Sequence, residues 1–143
     1  AIDNISLDKT KSDNFKGQAL FLRALSFFDL VRYFGDVPMP LTPASDMPSA
    51  TLPRTSKEIV YQQIISDATN AAELLPDKSV QEAGRATSGA AWMLLGDVHL
   101  HLKNWDAAES ALAKVTGYTL MSDYSSVFSP SNKNNSESVF EVR

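Results

Sequence analysis

Apolar residues recur with helical spacing from Gly17 onward and then stop at a glycine. Leu20, Ala24, Phe27, Val31 and Phe34 follow one another at steps of four, three, four and three. A second line, Phe21, Leu25 and Phe28, lies beside them, so well over half of the cylinder is apolar. A helix of this kind, predicted over 15–34, has to be packed on most sides and belongs inside a larger body. Its charges are few. Asp29 and Arg32 are three residues apart and Arg32 and Asp36 four apart, so each pair can meet on one side, whereas Arg23 stands alone on its turn. Exposed pairs contribute little, and the strip reads as a solvated edge rather than a site. Gly35 ends the helix, and Pro38, Pro40 and Pro43 forbid its continuation.

The remaining pattern predicts three more helices. Residues 1–14 are polar, a loose or short helical lead-in. Residues 35–54 form a long loop with five prolines, Pro38, Pro40, Pro43, Pro48 and Pro53, a length that tends to mark a functional or docked segment. Thr55 and Glu58 have capping-box spacing and announce helix two, with Val60, Ile64, Ala68, Ala71 and Leu75 as its core stripe and Pro76 as its stop. Gln62, Gln63, Asp67, Asn70 and Glu73 populate its other side, which should be exposed. Helix three is predicted over 87–103 and helix four over 105–116, before Gly117.

This last pair fits a tetratricopeptide template, W-x2-L-G-x2-Y followed by A-x3-F. Trp92, Leu95 and Gly96 fall in register, His99 takes the tyrosine place, and Ala108 and Leu112 take the later ones. The fold class read from the chain is therefore all-α, tetratricopeptide-like hairpins in a single region over 1–143. Hairpin one covers 15–76 with the inserted loop 35–54, hairpin two covers 87–117, and 118–143 is irregular. Ser138 to Arg143 alternates like a short terminal strand, Val139 in and Phe140 out. Two hairpins are few for a stacked array, so marginal stability is expected of them alone.

Composition narrows the function classes. The chain has 143 residues, 43% hydrophobic and 21% charged, with a net charge of -4 and no basic run, which argues against nucleic acid. There is no cysteine, which excludes disulfides, thiolate metal sites and cysteine nucleophiles. No apolar run approaches the roughly 20 residues of a membrane span.

Catalytic chemistry finds no constellation. His99 and His101 lie about 200° apart around a helix and cannot chelate one metal together. No nucleophile elbow or phosphate loop occurs. Asp123, Asn132, Asn134 and Glu137 fit no calcium loop spacing. No carboxylate pair suits a glycosidase. The reading is a non-enzyme without cofactor or metal. Sugar binding needs exposed aromatic faces flanked by polar groups. Trp92 and Trp105 occupy repeat-packing places and read as core. Tyr118, Tyr124 and Phe128 either present a ring outward or staple their segment to the hairpins. In the proline loop Asp36, Ser45, Asp46 and Arg54 are polar and accessible, without an aromatic companion.

Three segments in order resemble the SusD/RagB family. They are Phe21-Leu22-Arg23-Ala24 through Phe28-Asp29-Leu30-Val31-Arg32 to Phe34-Gly35-Asp36-Val37-Pro38, then Gly84-Arg85-Ala86-Thr87 with Gly89-Ala90-Ala91, then Tyr118-Thr119-Leu120 with Tyr124 to Phe128 and Asn135 to Val142. The family comprises nutrient-binding lipoproteins of the Bacteroidetes outer membrane. The resemblance implies a surface lipoprotein that captures an oligosaccharide or peptide and passes it to a TonB-dependent channel, over which it closes as a lid. It further implies a tetratricopeptide-like helical half serving mainly as scaffold and channel contact. Family members carry a signal peptide and an N-terminal lipid-bearing cysteine and are several times longer, so the chain is expected to be one piece of a longer protein. On this reading the channel meets the proline loop (Asp36, Asp46, Arg54) or the face of helix two carrying Gln62, Gln63, Asp67 and Asn70. Tyr118 and Tyr124 are the ligand candidates. The alternative is a tetratricopeptide adaptor that holds a partner peptide and binds no nutrient.

Overall fold

The computed structural model describes residues 7–43 and 51–141. Its helices are α1 (Lys9–Phe34), α2 (Lys57–Leu74), α3 (Ser88–His101), α4 (Trp105–Leu112) and the single turn α5 (Tyr124–Val127). The all-α reading holds: α1 pairs with α2, α3 with α4, and α2 also packs on α3, so that one core runs through both hairpins. Phe28, Val60, Ile64 and Val98 are among its most deeply buried side chains.

Helix α1 begins two turns earlier than its apolar pattern. Asp8 caps it, accepting from the Thr10 amide at 3.0 Å. The polar first turns are then held from outside, with Gln18 donating to Asn14 at 2.8 Å and Asn14 to Gln81 at 3.1 Å. Helix α1 is also less covered than its pattern demands. One side meets α2 and α3, while Phe15, Leu22, Leu30 and Tyr33 remain exposed along the other.

The capping box expected at Thr55 is not used. Thr55 spends its backbone on a bridge to Val37, with amide-to-carbonyl distances of 3.2 and 2.9 Å, which ties the two ends of the proline loop together. Ser56 becomes the N-cap without a side-chain bond, and Asp36 accepts from the Lys57 amide at 2.9 Å in its stead. Helix α3 stops at His101 because Lys103 takes a positive φ of 62°. Helix α4 stops at Leu112, where the amides of Lys114 and Val115 reach back three residues instead of four.

Gly96 does what its place in the repeat requires, since a Cβ there would stand 2.5 Å from a Leu112 methyl. Trp92 packs against the core under the Lys114 ammonium, 3.9 Å from its ring centre. Trp105 departs from the core reading: it opens α4 and is 61% exposed.

The terminal strand expected over 138–143 is not formed over its described part, 138–141. Val139 and Phe140 both pack on the core, Phe140 edge-on to Phe21 at 4.9 Å, so the in-out alternation is lost. The Ser138 amide is bonded to Asn135 and is not free for a ladder.

His99 is half-buried and its Nδ1 has no hydrogen-bond partner, so burial pushes its pKa down. The unfolded chain therefore binds a proton near pH 6.5 that the native ring resists, and stability falls as pH drops through that value. His99→Phe is expected to flatten this dependence between about pH 7.5 and 5.5. Urea midpoints of both proteins at the two pH values measure it; parallel pH profiles would refute it.

Candidate functional site

The residues singled out from the sequence separate into structural and surface groups. Asp36 is the outside cap of α2 described above. Arg54 is exposed in the loop. Asp46, with Ser45, lies outside the described residues. On α2, Gln62 and Asn70 are exposed as expected, but Asp67 is not: it is 2% exposed and belongs to the core. Its carboxylate takes a two-pronged bond from Arg23 of α1, Nε to Oδ2 at 2.6 Å and Nη2 to Oδ1 at 2.8 Å. Gln63 adds a third donor at 2.8 Å. The bond to Asp67 raises the pKa of Arg23 further. Asp67 and Gln63 thus join α1 to α2, and on the side of α2 expected to be exposed Gln62 and Asn70 remain accessible.

The signal for this pair was present. Asp67 falls in the step pattern Val60, Ile64, Asp67, Ala71, and Arg23 sits between Leu20 and Phe27. A lone acid and a lone base, each inside an apolar stripe, mark a buried pair.

Tyr118 is a staple. Its hydroxyl shares a hydrogen bond of 2.9 Å with Thr87, whose Oγ1 also caps α3 by accepting from the Ala90 amide at 3.1 Å. Its ring lies so close to Gly89 that a Cβ there would be 2.5 Å from the phenol oxygen. Lys78 covers the ring at 4.7 Å and donates to the carbonyls of Asn135 (2.6 Å) and Ser138 (2.8 Å). Asn135, buried, donates to the carbonyls of Val127 and Asn132 and accepts from the amides of Glu137 and Ser138. These bonds give 118–141 a fixed path without regular structure.

That path carries an aromatic face. Tyr124 is 79% and Phe128 70% exposed, and their rings meet edge-on at 5.3 Å on α5. Asp123 begins the turn, bonded to the hydroxyl and amide of Ser125, which hold its carboxyl below the usual range. Beside Phe128 lies a shallow cavity of about 420 Å³ reached by Ser129, Lys133 and Glu141. Exposed rings next to hydroxyl, ammonium and carboxylate groups suit a sugar, whose C–H face stacks while its hydroxyls bond. The groove between α1 and α3, by contrast, is lined by Phe21, Leu25, Met93, Leu100 and Leu112, with Asp97 as its one charged side chain. Among the described residues, no three His, Asp or Glu side chains gather as a metal site would require.

Residues 1–100 match a family model described as SusD-like, starch-binding and associating with the outer membrane. SusD-like protein P25 of Formosa agariphila is 25% identical over 146 residues, covering 97% of this chain and 27% of that protein. A SusD superfamily protein from Bacteroides vulgatus superposes with a TM-score of 0.86 at 30% identity, over 96% of this chain and 30% of that one. A laminarin-binding SusD-like protein superposes with a TM-score of 0.87 at 29% identity, over 97% and 32%. The chain thus spans about 30% of the length of the proteins it matches.

Proposed function

Because the chain belongs to the SusD/RagB family, we propose that it is the helical part of a non-catalytic, outer-membrane glycan-binding protein and contributes one aromatic contact to the glycan. The observation that carries this reading is the exposed Tyr124–Phe128 pair, with Phe128 at the edge of a cavity that also presents Ser129, Lys133 and Glu141. It is supported by the superposition on a protein that binds laminarin. No bond is made or broken in this role. The rings remove the C–H face of a sugar from water, and affinity comes from that burial together with hydroxyl bonds.

Titration calorimetry with laminarihexaose and maltohexaose tests the contact. The double variant Tyr124→Ala, Phe128→Ala is expected to weaken binding at least about tenfold, since both stacking faces go and neither ring is part of the core. Equal affinity of variant and parent would overturn it.

The same family description supports association with the outer membrane. In the proposed role a TonB-dependent channel receives the ligand there and the protein closes over it as a lid. For the channel contact we propose the exposed side of α2 around Asn70, with Arg54 of the proline loop. A tagged full-length protein drawn from detergent-solubilised outer membranes should bring the channel in near-equal amount. Recovery of soluble partners alone would favour the adaptor alternative.

A further inference from the structure

The Tyr124–Phe128 face leaves unexplained a second cavity, of about 560 Å³, at the far end of α1. It lies where α1 ends and α2 begins, near Val31, about 15 Å along the helix from the Phe21 that receives Phe140. Its size falls within the range of small-ligand pockets.

Two rings line it, Tyr61 and His101. Tyr61 of α2 and His101 of α3 stack at 5.9 Å with 29° between their planes, and Phe28 stands edge-on to both, at 6.4 and 5.9 Å. The imidazole is thus fixed by two rings while remaining exposed. Tyr61 is only 8% exposed, lines the cavity and makes no hydrogen bond to a described residue. Burial raises its pKa, so the hydroxyl stays protonated and able to donate. A tyrosine hydroxyl that no described side chain engages is open to a hydrogen bond from or to a ligand oxygen.

Charge decides the class of ligand. Arg32 lies over the Phe28 ring at 4.2 Å and is bonded to Asp29, so its charge is already met. The lining holds one further base, Lys57, and one acid, Glu58, and Gln62 supplies both a donor and an acceptor. No excess of positive charge awaits a phosphate or carboxylate. The mixture of donors and acceptors over a ring face matches the hydroxyls of a neutral sugar.

We propose that this cavity is a second carbohydrate contact, taking one neutral hexose unit on the His101 face with Tyr61, Gln62 and Glu58 bonding its hydroxyls. The proposal rests on the glycan reading above, and the two can fail separately.

The test is nuclear magnetic resonance of the full chain labelled in its histidine and aromatic rings, titrated with laminarihexaose and with maltohexaose. His101 and Tyr61 ring signals should shift saturably with at least one of them. His101→Ala should weaken that association about tenfold. Gln62→Ala, a change on an exposed side chain that leaves the rings in place, should weaken it several-fold. Shifts at Tyr124 and Phe128 with none at His101 and Tyr61 would overturn this inference and leave the first contact standing. Silence of all four rings with both glycans would overturn both. Shifts at His101 and Tyr61 alone would support this site and remove the other.

Discussion

Arg23→Ala is expected to lower stability by about 3 kcal/mol, and Asp67→Ala by about 2 kcal/mol. The difference comes from which partner is stranded. Without Arg23, the Asp67 carboxylate is left at 2% exposure with Gln63 as its one remaining side-chain donor, and it must stay charged in the core or take up a proton. Without Asp67, the guanidinium, 32% exposed, can turn toward water, which discounts its loss. For a chain of this size the Arg23 change should lower Tm by about 10 °C. Arg23→Lys is expected to recover little, because an ammonium cannot reproduce the two-pronged geometry at 2.6 and 2.8 Å. The pair replaced together by Met and Leu should come close to the parent, because well-packed apolar groups often equal a buried ion pair. Thermal unfolding of the four variants beside the parent checks this. Arg23→Ala melting at the parent temperature, or above Asp67→Ala, would contradict it.

Gly89→Val is expected to cost about 3 kcal/mol and to release the segment that carries Tyr124 and Phe128. A Cβ at this position meets the Tyr118 ring at 2.5, 2.7 and 3.0 Å, and a rigid aromatic cannot flex out of the way as an aliphatic tip can. Displacing the ring also breaks its bond to Thr87 and uncovers Lys78, whose own bonds hold Asn135 and Ser138. The gain in helix propensity on losing a glycine, under about 1 kcal/mol for valine, offsets only part of this. Hydrogen exchange should then show amides such as Thr119, Glu137 and Ser138 losing protection while those of α1 and α2 keep theirs. Uniform exchange in both proteins would place the staple elsewhere. Glycan affinity should fall with the variant as well, because the two exposed rings depend on this path for their position.

These two results bear on how the chain could be read. The core stripe of α2 at Val60, Ile64, Ala68, Ala71 and Leu75 is buried as its spacing required, and α1 ends at Gly35. Asp67 departs from the exposed side expected of a polar residue because its step places it on the inner face. Tyr118 and Tyr124 were alike in sequence as aromatics of one irregular stretch, yet one is a staple and the other is free.

Periodicity gave the helices to within a turn or two and the template gave the close approach at Gly96, while the family came from the resemblance of three ordered segments. These are local properties: a 3.6-residue repeat and a glycine act within a few turns. Only the tertiary structure decided that Arg23 reaches Asp67, that Asp36 caps α2, that Tyr118 lies on Gly89, and that Tyr61 and His101 stack over a cavity. Each of these joins side chains far apart in the chain. Such a partnership is set by how helices cross and how close they come, and no spacing along the chain encodes that distance.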